Sequence, residues 1–299
     1  MQEVSGFTAV EFYFLFMSFC IGACIGSFLN VVVWRLPRGA SLSNPPSHCP
    51  NCEHRIRAWE NIPIISWLCL KGRCSSCAQK ISWRYPAGET ATGLLFLVIF
   101  WQTALSRLLP MEAVLAYFWL ASVGIAAAQI DAKHLYIPDK INYSSFIVAI
   151  GMAVFFPKSH FWIFDDLTLN SNPVIFTFFL EKLQLSQSLT QIFNASWAKA
   201  SLDTLLGIVV AGGILASFAL IGEIYRRGKK SKKNFIGWGD VKYIATIGDF
   251  LGAETTLIIL TIAACTGFVY GVIKKIFLDK EKTFEASIAF GPHIFVANM

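Results

Sequence analysis

Charge is what this sequence has least of. Only 15% of its 299 residues are Asp, Glu, Lys or Arg, whereas a soluble domain carries about 25%. With 55% hydrophobic residues and a mean hydropathy of +0.55, that shortage excludes an ordinary soluble enzyme and implies an integral membrane protein. A basic leader segment is missing too. No Lys or Arg precedes the first apolar run, Val10 to Val33, and that run is too long for the core of a secretory signal, so it is expected to be a span. None of the five histidines, His48, His54, His134, His160 and His293, lies in an H-E-x-x-H, which excludes the zinc intramembrane proteases. No G-x-G-x-x-G loop follows a strand, so no nucleotide site can be placed by pattern. The chain also shows no internal repeat and no low-complexity segment.

What is present is a series of apolar runs. Runs of about 20 apolar residues cross a bilayer, and spans are expected near 9–33, 87–106, 111–130, 141–157, 203–224, 240–252, 254–277 and 286–299. The fold class expected is therefore all-α and polytopic, with about eight membrane segments. The sixth is short and starts at a G-x-G-D, as a half-helix would. The net charge of +6 reflects lipid rather than nucleic acid, because the basic residues sit in loops beside the apolar runs. If the N-terminus is outside, the inner loops carry 21 of the 25 Lys and Arg and the outer loops 4, the asymmetry of the positive-inside rule. This orientation makes 158–202 a long outer loop. It also puts residues 35–86, Asp131 and Asp240 at the cytoplasmic face. Three parts are expected: a first span in 1–34, a cytoplasmic module in 35–86, and a membrane core in 87–299.

Four of the eight cysteines, Cys49, Cys52, Cys74 and Cys77, read C-x2-C-x21-C-x2-C. Two such knuckles supply the four thiolates of a closed tetrahedral zinc site, and a reducing cytoplasm favours metal over disulfides. A closed site is structural, and a module of about 50 residues has little core, so metal would supply folding free energy. His48 reads as a bystander, and Cys20, Cys24, Cys69 and Cys265 as small apolar residues.

Two carboxylates stand out. Asp131 directly follows the third apolar run, in Q-I-D-A-K-H-L-Y-I-P-D. Asp240 opens the sixth, in I-G-W-G-D-V-K. A carboxylate at the end of a membrane segment is a functional candidate. Two at one depth can share a proton, one activating water while the other polarises a peptide carbonyl, as in an aspartyl protease. Gly237 and Gly239 leave the backbone free to bend beside Asp240 and let a substrate strand approach. The plainer alternative makes both aspartates loop residues paired with Lys133 or Lys242; spacing alone does not bring them together. Asp139 or Asn142 is expected to cap the fourth span. Asp249 is placed toward the opposite face, with no chemistry.

Taken together, several stretches resemble the prepilin peptidase family, also called type IV leader peptidase/N-methyltransferase. They are G-S-F-L-N-V-V-V-W-R-L-P (Gly26 to Pro37), the paired cysteines with N-I-P-I-I-S-W-L (Asn61 to Leu68), and I-S-W-R-Y-P (Ile81 to Pro86) followed by Glu89. Then come I-D-A-K-H-L-Y-I-P-D (Ile130 to Asp139), G-W-G-D (Gly237 to Asp240) and F-G-P (Phe290 to Pro292). The resemblance implies a bacterial inner-membrane aspartyl peptidase that cleaves the leader of type IV prepilins or type II secretion pseudopilins at the cytoplasmic face. It implies methylation of the new N-terminal amine from S-adenosylmethionine. It carries over Asp131 and Asp240 as the catalytic pair, with Asp139 matching the family's proline-aspartate instead. By resemblance only, Arg84 and Glu89 are candidates for holding the methyl donor. Read locally, Arg84 marks the membrane edge and Glu89 is favoured by a helix dipole.

Two other readings stay open. A non-enzymatic membrane scaffold with a zinc knuckle module would tolerate replacement of both aspartates. A presenilin-like protease shares G-x-G-D, but the tyrosine-aspartate and P-A-L motifs of that group are missing here.

Overall fold

A computed structural model describes residues 8–105, 111, 113–156, 201, 204–229, 237–277 and 291–298. The expected outer loop 158–202 lies almost wholly outside these residues, as does the basic run from residue 230 to 233. Among the described residues there are helices and turns but no strand; only two isolated bridges occur, His48–Arg55 and Arg73–Lys80.

Helix α1 (Ala9–Arg35) begins with a capping box: the Glu11 N–H donates to the Thr8 hydroxyl and the Thr8 N–H to the Glu11 carboxylate at 2.8 Å. That satisfies amides that a helix start otherwise leaves bare. The helix then runs apolar on every side. Phe12, Phe14 and Phe16 remain exposed, as expected of a helix whose surroundings are lipid. A short α2 (Ile65–Cys69) and α3 (Arg84–Phe100) follow. Glycines let α1 and α3 meet closely. A β-carbon on Gly22 would lie 2.7 Å from the Phe96 side chain, and one on Gly93 2.8 Å from Phe19. Small residues at such contacts are how membrane helices gain van der Waals packing. These elements make up one compact unit, residues 1–109.

The second unit, residues 110–299, contains α4 (Ala113–His134), α5 (Asp139–Phe155), α6 (Gly213–Lys229), α7 (Trp238–Phe277) and α8 (Gly291–Asn298). Leu120 of α4, Ala149 and Met152 of α5, and Phe250 of α7 form its buried apolar cluster. Helix α7 is interrupted at Gly252, whose φ of 75° and ψ of 173° are open essentially only to glycine. The break falls between the two expected segments 240–252 and 254–277. Just before it, the backbones of Gly248 and Gly207 touch, leaving no room for a β-carbon on either.

This is a helical, multi-pass membrane protein. Four described helices are long and apolar enough to cross a bilayer: Ala9–Arg38, Ala113–His134, Thr204–Tyr225 and Thr255–Ile273. Helices α3 and α5, 17 residues each, fall on two further expected spans. The cap expected on α5 is not formed: Pro138 occupies the N-cap position without a side-chain bond. Asp139 instead accepts from the Lys242 ammonium at 2.6 Å. Asn142 is buried, with no partner for its amide among the described residues.

Candidate active site and metal centre

The cysteine module is built from two copies of one turn. In the first, the Cys49 N–H donates to the His54 carbonyl (2.9 Å), Glu53 to Cys49 (3.0 Å) and Ile56 to Ser47 (2.9 Å). In the second, Cys74 donates to Gln79 (2.8 Å), Ala78 to Cys74 (3.0 Å) and Ile81 to Gly72 (2.7 Å). Every number is advanced by 25, and both copies place the residue after the second cysteine in the left-handed region, Glu53 at φ 56° and Ala78 at φ 57°. The chain therefore does contain an internal repeat. It was hidden because only the cysteines and the closing isoleucine are identical between the copies.

The two knuckles bring the four sulfurs within 4.8 Å of one another. Cys49 and Cys77 are 3.8 Å apart, and Cys52 and Cys74 3.9 Å. A tetrahedral zinc with metal–sulfur distances of about 2.3 Å has sulfur–sulfur edges of about 3.8 Å. Disulfides, at about 2.05 Å, are excluded, and all four cysteines are free. Local donors favour thiolates. The N–H groups of Asn51 and Cys52 lower the Cys49 thiol, and the Gln79 N–H, with the Asn51 amide, lowers Cys77 to about 6. The His54 N–H acts likewise on Cys52, but burial and the neighbouring sulfurs push that thiol up to about 11. His48 turns away and contacts the Pro46 carbonyl.

Glu60 ties the knuckles together. It accepts from the Arg57 N–H at 2.9 Å and faces His54 at 3.3 Å. The Arg57 N–H, the Ser75 hydroxyl and His54 hold its carboxyl down at about 2. Arg84 is exposed at the first residue of α3. Glu89 is buried, and its carboxylate accepts the Ile64 N–H at 2.7 Å. Ile64 has φ 63°, a conformation a β-branched residue rarely adopts. Glu89 thus anchors the start of α2 against α3.

In the second unit, Asp131 ends a buried stretch of α4 and is 3% exposed. Asp240 lies in the first turn of α7, and its Oδ1 is buried without a donor. The two carboxylates are close enough to repel each other. Neither forms an ion pair among the described residues; Lys242, the proposed neutraliser, is engaged by Asp139. Gly237 starts the turn that carries Asp240, its carbonyl accepting from the Asp240 N–H at 3.1 Å. A β-carbon there would come within 3.3 Å of the Asp240 carboxylate. Gly239 does something other than expected: it packs on the loop after α4, where a β-carbon would meet the Ile137 backbone at 3.1 Å.

One partner of this site was not foreseen. The Gly291 N–H, at the start of α8, donates to Asp131 Oδ2 at 2.7 Å. A β-carbon on Gly291 would lie 2.9 Å from that oxygen and 3.0 Å from the Asp131 β-carbon. The sequence signal was the F-G-P triplet, which carried no chemistry of its own. Asp249, also on α7, is fully buried with both carboxylate oxygens unpartnered among the described residues.

A helical membrane protein with one buried carboxylate, held by a backbone donor, and a second, half-buried one near enough to feel its charge has the outline of an aspartyl peptidase. The comparisons agree with that class. Residues 20–103 match the Bacterial Peptidase A24 N-terminal domain, and residues 118–272 match the Type IV leader peptidase family. A type 4 prepilin-like proteins leader peptide-processing enzyme of Escherichia coli O78:H11 is 33% identical, over 85% of this chain and 83% of its own. Prepilin leader peptidase/N-methyltransferases of Stutzerimonas stutzeri and Neisseria gonorrhoeae are each 29% identical, over 97% and 93% of this chain and 92% and 86% of theirs. No solved structure matches the chain. The chain belongs to the type IV leader peptidase family.

Proposed function

We propose that this protein cuts the leader from type IV prepilins or type II secretion pseudopilins and then methylates the exposed amine. Asp131 and Asp240 are the catalytic pair. One carboxylate takes a proton from water as it attacks the scissile carbonyl. The other, protonated, donates to the carbonyl oxygen, and the proton is returned to the departing amine. The observation that supports this reading is a buried Asp131 and a half-buried Asp240 whose Oδ1 is enclosed without a donor, near enough for their charges to interact, with no ion pair to either among the described residues. Gly237 leaves the approach to Asp240 clear, Gly239 seats its helix against the loop after α4, and Gly291 fixes the rotamer of Asp131.

The four cysteines hold a structural zinc, since the sulfur spacing and the thiolate-favouring donors suit that ion. It takes no part in hydrolysis, because four sulfurs leave no open position. S-adenosylmethionine, when bound, supplies a methyl group to the new α-amine, its sulfonium leaving as a neutral thioether while the amine sheds a proton. The excess of basic residues in the loops on that side supports a cytoplasmic position, in a bacterial inner membrane, for the cysteine module and both aspartates. Arg84, exposed, and Glu89, engaged with Ile64, are candidates for positioning the methyl donor.

Mass spectrometry of a pilin co-expressed with the enzyme tests both halves. Leader loss together with the mass of one added methyl group is expected; an intact leader would leave the scaffold reading standing.

A further inference from the structure

The first unit contains a groove of about 350 Å³ that neither the carboxylate pair nor the cysteine cluster uses. One wall is a stripe of α1 formed by Cys24, Phe28, Val31 and Arg35, residues three or four apart and so on one helix face. At 1.5 Å per residue the stripe is about 16 Å long. The other wall is the strap that follows α1. The two ends of the stripe differ. Cys24 is exposed and Phe28 is 52% exposed, whereas Arg35 is 7% exposed.

Burial of an arginine calls for partners. Those of Arg35 are backbone carbonyls: Nη1 donates to Ser41 at 3.0 Å and, more weakly, to Leu42 at 3.4 Å. Two carbonyls orient a guanidinium without neutralising it, and Nε and Nη2 have no partner among the described residues. Among those residues no Asp or Glu lines the groove, so its lining is net positive. Hydroxyls of Ser27, Ser43 and Ser47 add further donors. This set suits phosphate oxygens, which a guanidinium grips through two parallel hydrogen bonds. It offers nothing to a ligand's own cation.

Neighbours on α1 mark the depth of Arg35. Trp34 is 58% exposed, and the Arg38 guanidinium lies 4.6 Å over its ring. An exposed Trp beside basic residues at the end of a span marks the headgroup level of a bilayer. Arg35 is therefore at that level, and Phe28 and Cys24 lie toward the hydrocarbon, within the span Ala9–Arg38. A free anion would use only the Arg35 end of the groove; an amphiphile uses both. We infer that the groove seats an anionic glycerophospholipid, its phosphate on Arg35 and the serine hydroxyls and an acyl chain along Val31, Phe28 and Cys24. Its headgroup carries no ammonium, because no carboxylate is there to receive one. The inference rests on neither the peptidase nor the methyl-transfer reading.

Native mass spectrometry of the full chain, released from vesicles of equal parts phosphatidylglycerol and phosphatidylcholine, tests it. Wild type is expected to retain one phosphatidylglycerol, favoured about tenfold to a hundredfold over phosphatidylcholine, the worth of a charge-assisted hydrogen bond. Arg35→Gln is expected to lose that preference, although it also removes the bonds to the strap. Val31→Glu leaves those bonds in place and sets a carboxylate one turn before Arg35, where the two side chains pair; it is expected to lose the preference as well. Equal retention of the two lipids by wild type would overturn the assignment. So would an undiminished preference in both variants at unchanged melting temperature. Displacement of the lipid by an equal concentration of inorganic phosphate would also overturn it, since the groove would then be a site for a free anion.

Discussion

The cysteine module and the aspartate site solve the same problem, holding several polar groups in fixed geometry, by opposite means. In the module, four thiols come from a stretch of 29 residues, and each knuckle is closed by hydrogen bonds between near neighbours. In the aspartate site, the groups come from α4, α7 and α8, and the one carboxylate hydrogen bond among the described residues joins positions 160 apart. The module's geometry is therefore local and suits a metal, whose binding energy would also be folding energy. The aspartate site exists only when three helices have packed, so its precision is borrowed from the buried contacts between them. A change at one should leave the other standing.

The sharpest test of that independence is removal of a carboxylate. Asp131→Asn and Asp240→Asn are each expected to lower leader cleavage by about a thousandfold or more, because a shared-proton pair fails when either member cannot titrate. The double variant is expected to add little, and zinc content should not change. Cleavage close to wild type in either single variant would remove the aspartyl peptidase mechanism.

The converse change comes next. Cys49→Ser or Cys74→Ser is expected to reduce bound zinc from one per chain to a trace, and to make residues 41–83 sensitive to protease, while Asp131 and Asp240 keep their geometry. Elemental analysis and limited proteolysis read this directly. Stoichiometric zinc in Cys74→Ser would show that the four sulfurs do not act as one site.

A smaller effect is expected at Gly291. An alanine there pushes its β-carbon against the Asp131 carboxylate, and misplacement of a reacting group by about 1 Å costs about a hundredfold. Gly291→Ala is expected to lower kcat by about ten- to a hundredfold with KM little altered; a fall in substrate affinity alone would assign α8 to binding instead.

The smallest is Glu60→Gln. The Glu60 carboxyl is held at about 2, below its ordinary 4.5, so its support of the module is complete above the ordinary value and disappears as pH falls toward 2. The variant is expected to melt a few degrees lower at pH 7, with the gap closing across that acid window. A gap that widens in acid would reverse the sign of the argument.

The sequence discloses these two regions unequally, and for the same physical reason. Cys49, Cys52, Cys74 and Cys77 announce a metal site because its spacing is local. The break in α7 is legible too, since a short apolar run beginning at G-x-G-D and ending near Gly252 has few other uses. Asp131 and Asp240 are legible only as carboxylates in the wrong solvent; nothing along the chain says that they meet, or that the Gly291 N–H reaches Asp131. Glu89 looks like a residue favoured by its own helix, yet its partner, Ile64, lies 25 positions back. Asp139 looks like a cap and pairs with Lys242, 103 residues on. Asp249 was set toward the opposite face with nothing to do, and lies fully enclosed.

The hydrogen bond from Gly291 to Asp131 also sets a clock. Ribosomes add about 5–20 residues per second, so a donor 160 residues downstream emerges roughly 8–30 s after the carboxylate it serves. Through that interval a newborn chain has inserted Asp131, and later Asp240, without the amide that fixes the first of them. Until Gly291 has been made, the chain is expected to be inert, because Asp131 lacks the donor that fixes it. A chain stopped at residue 290 is expected to insert, bind zinc and cut nothing, which pulse-labelling beside a full-length control would read.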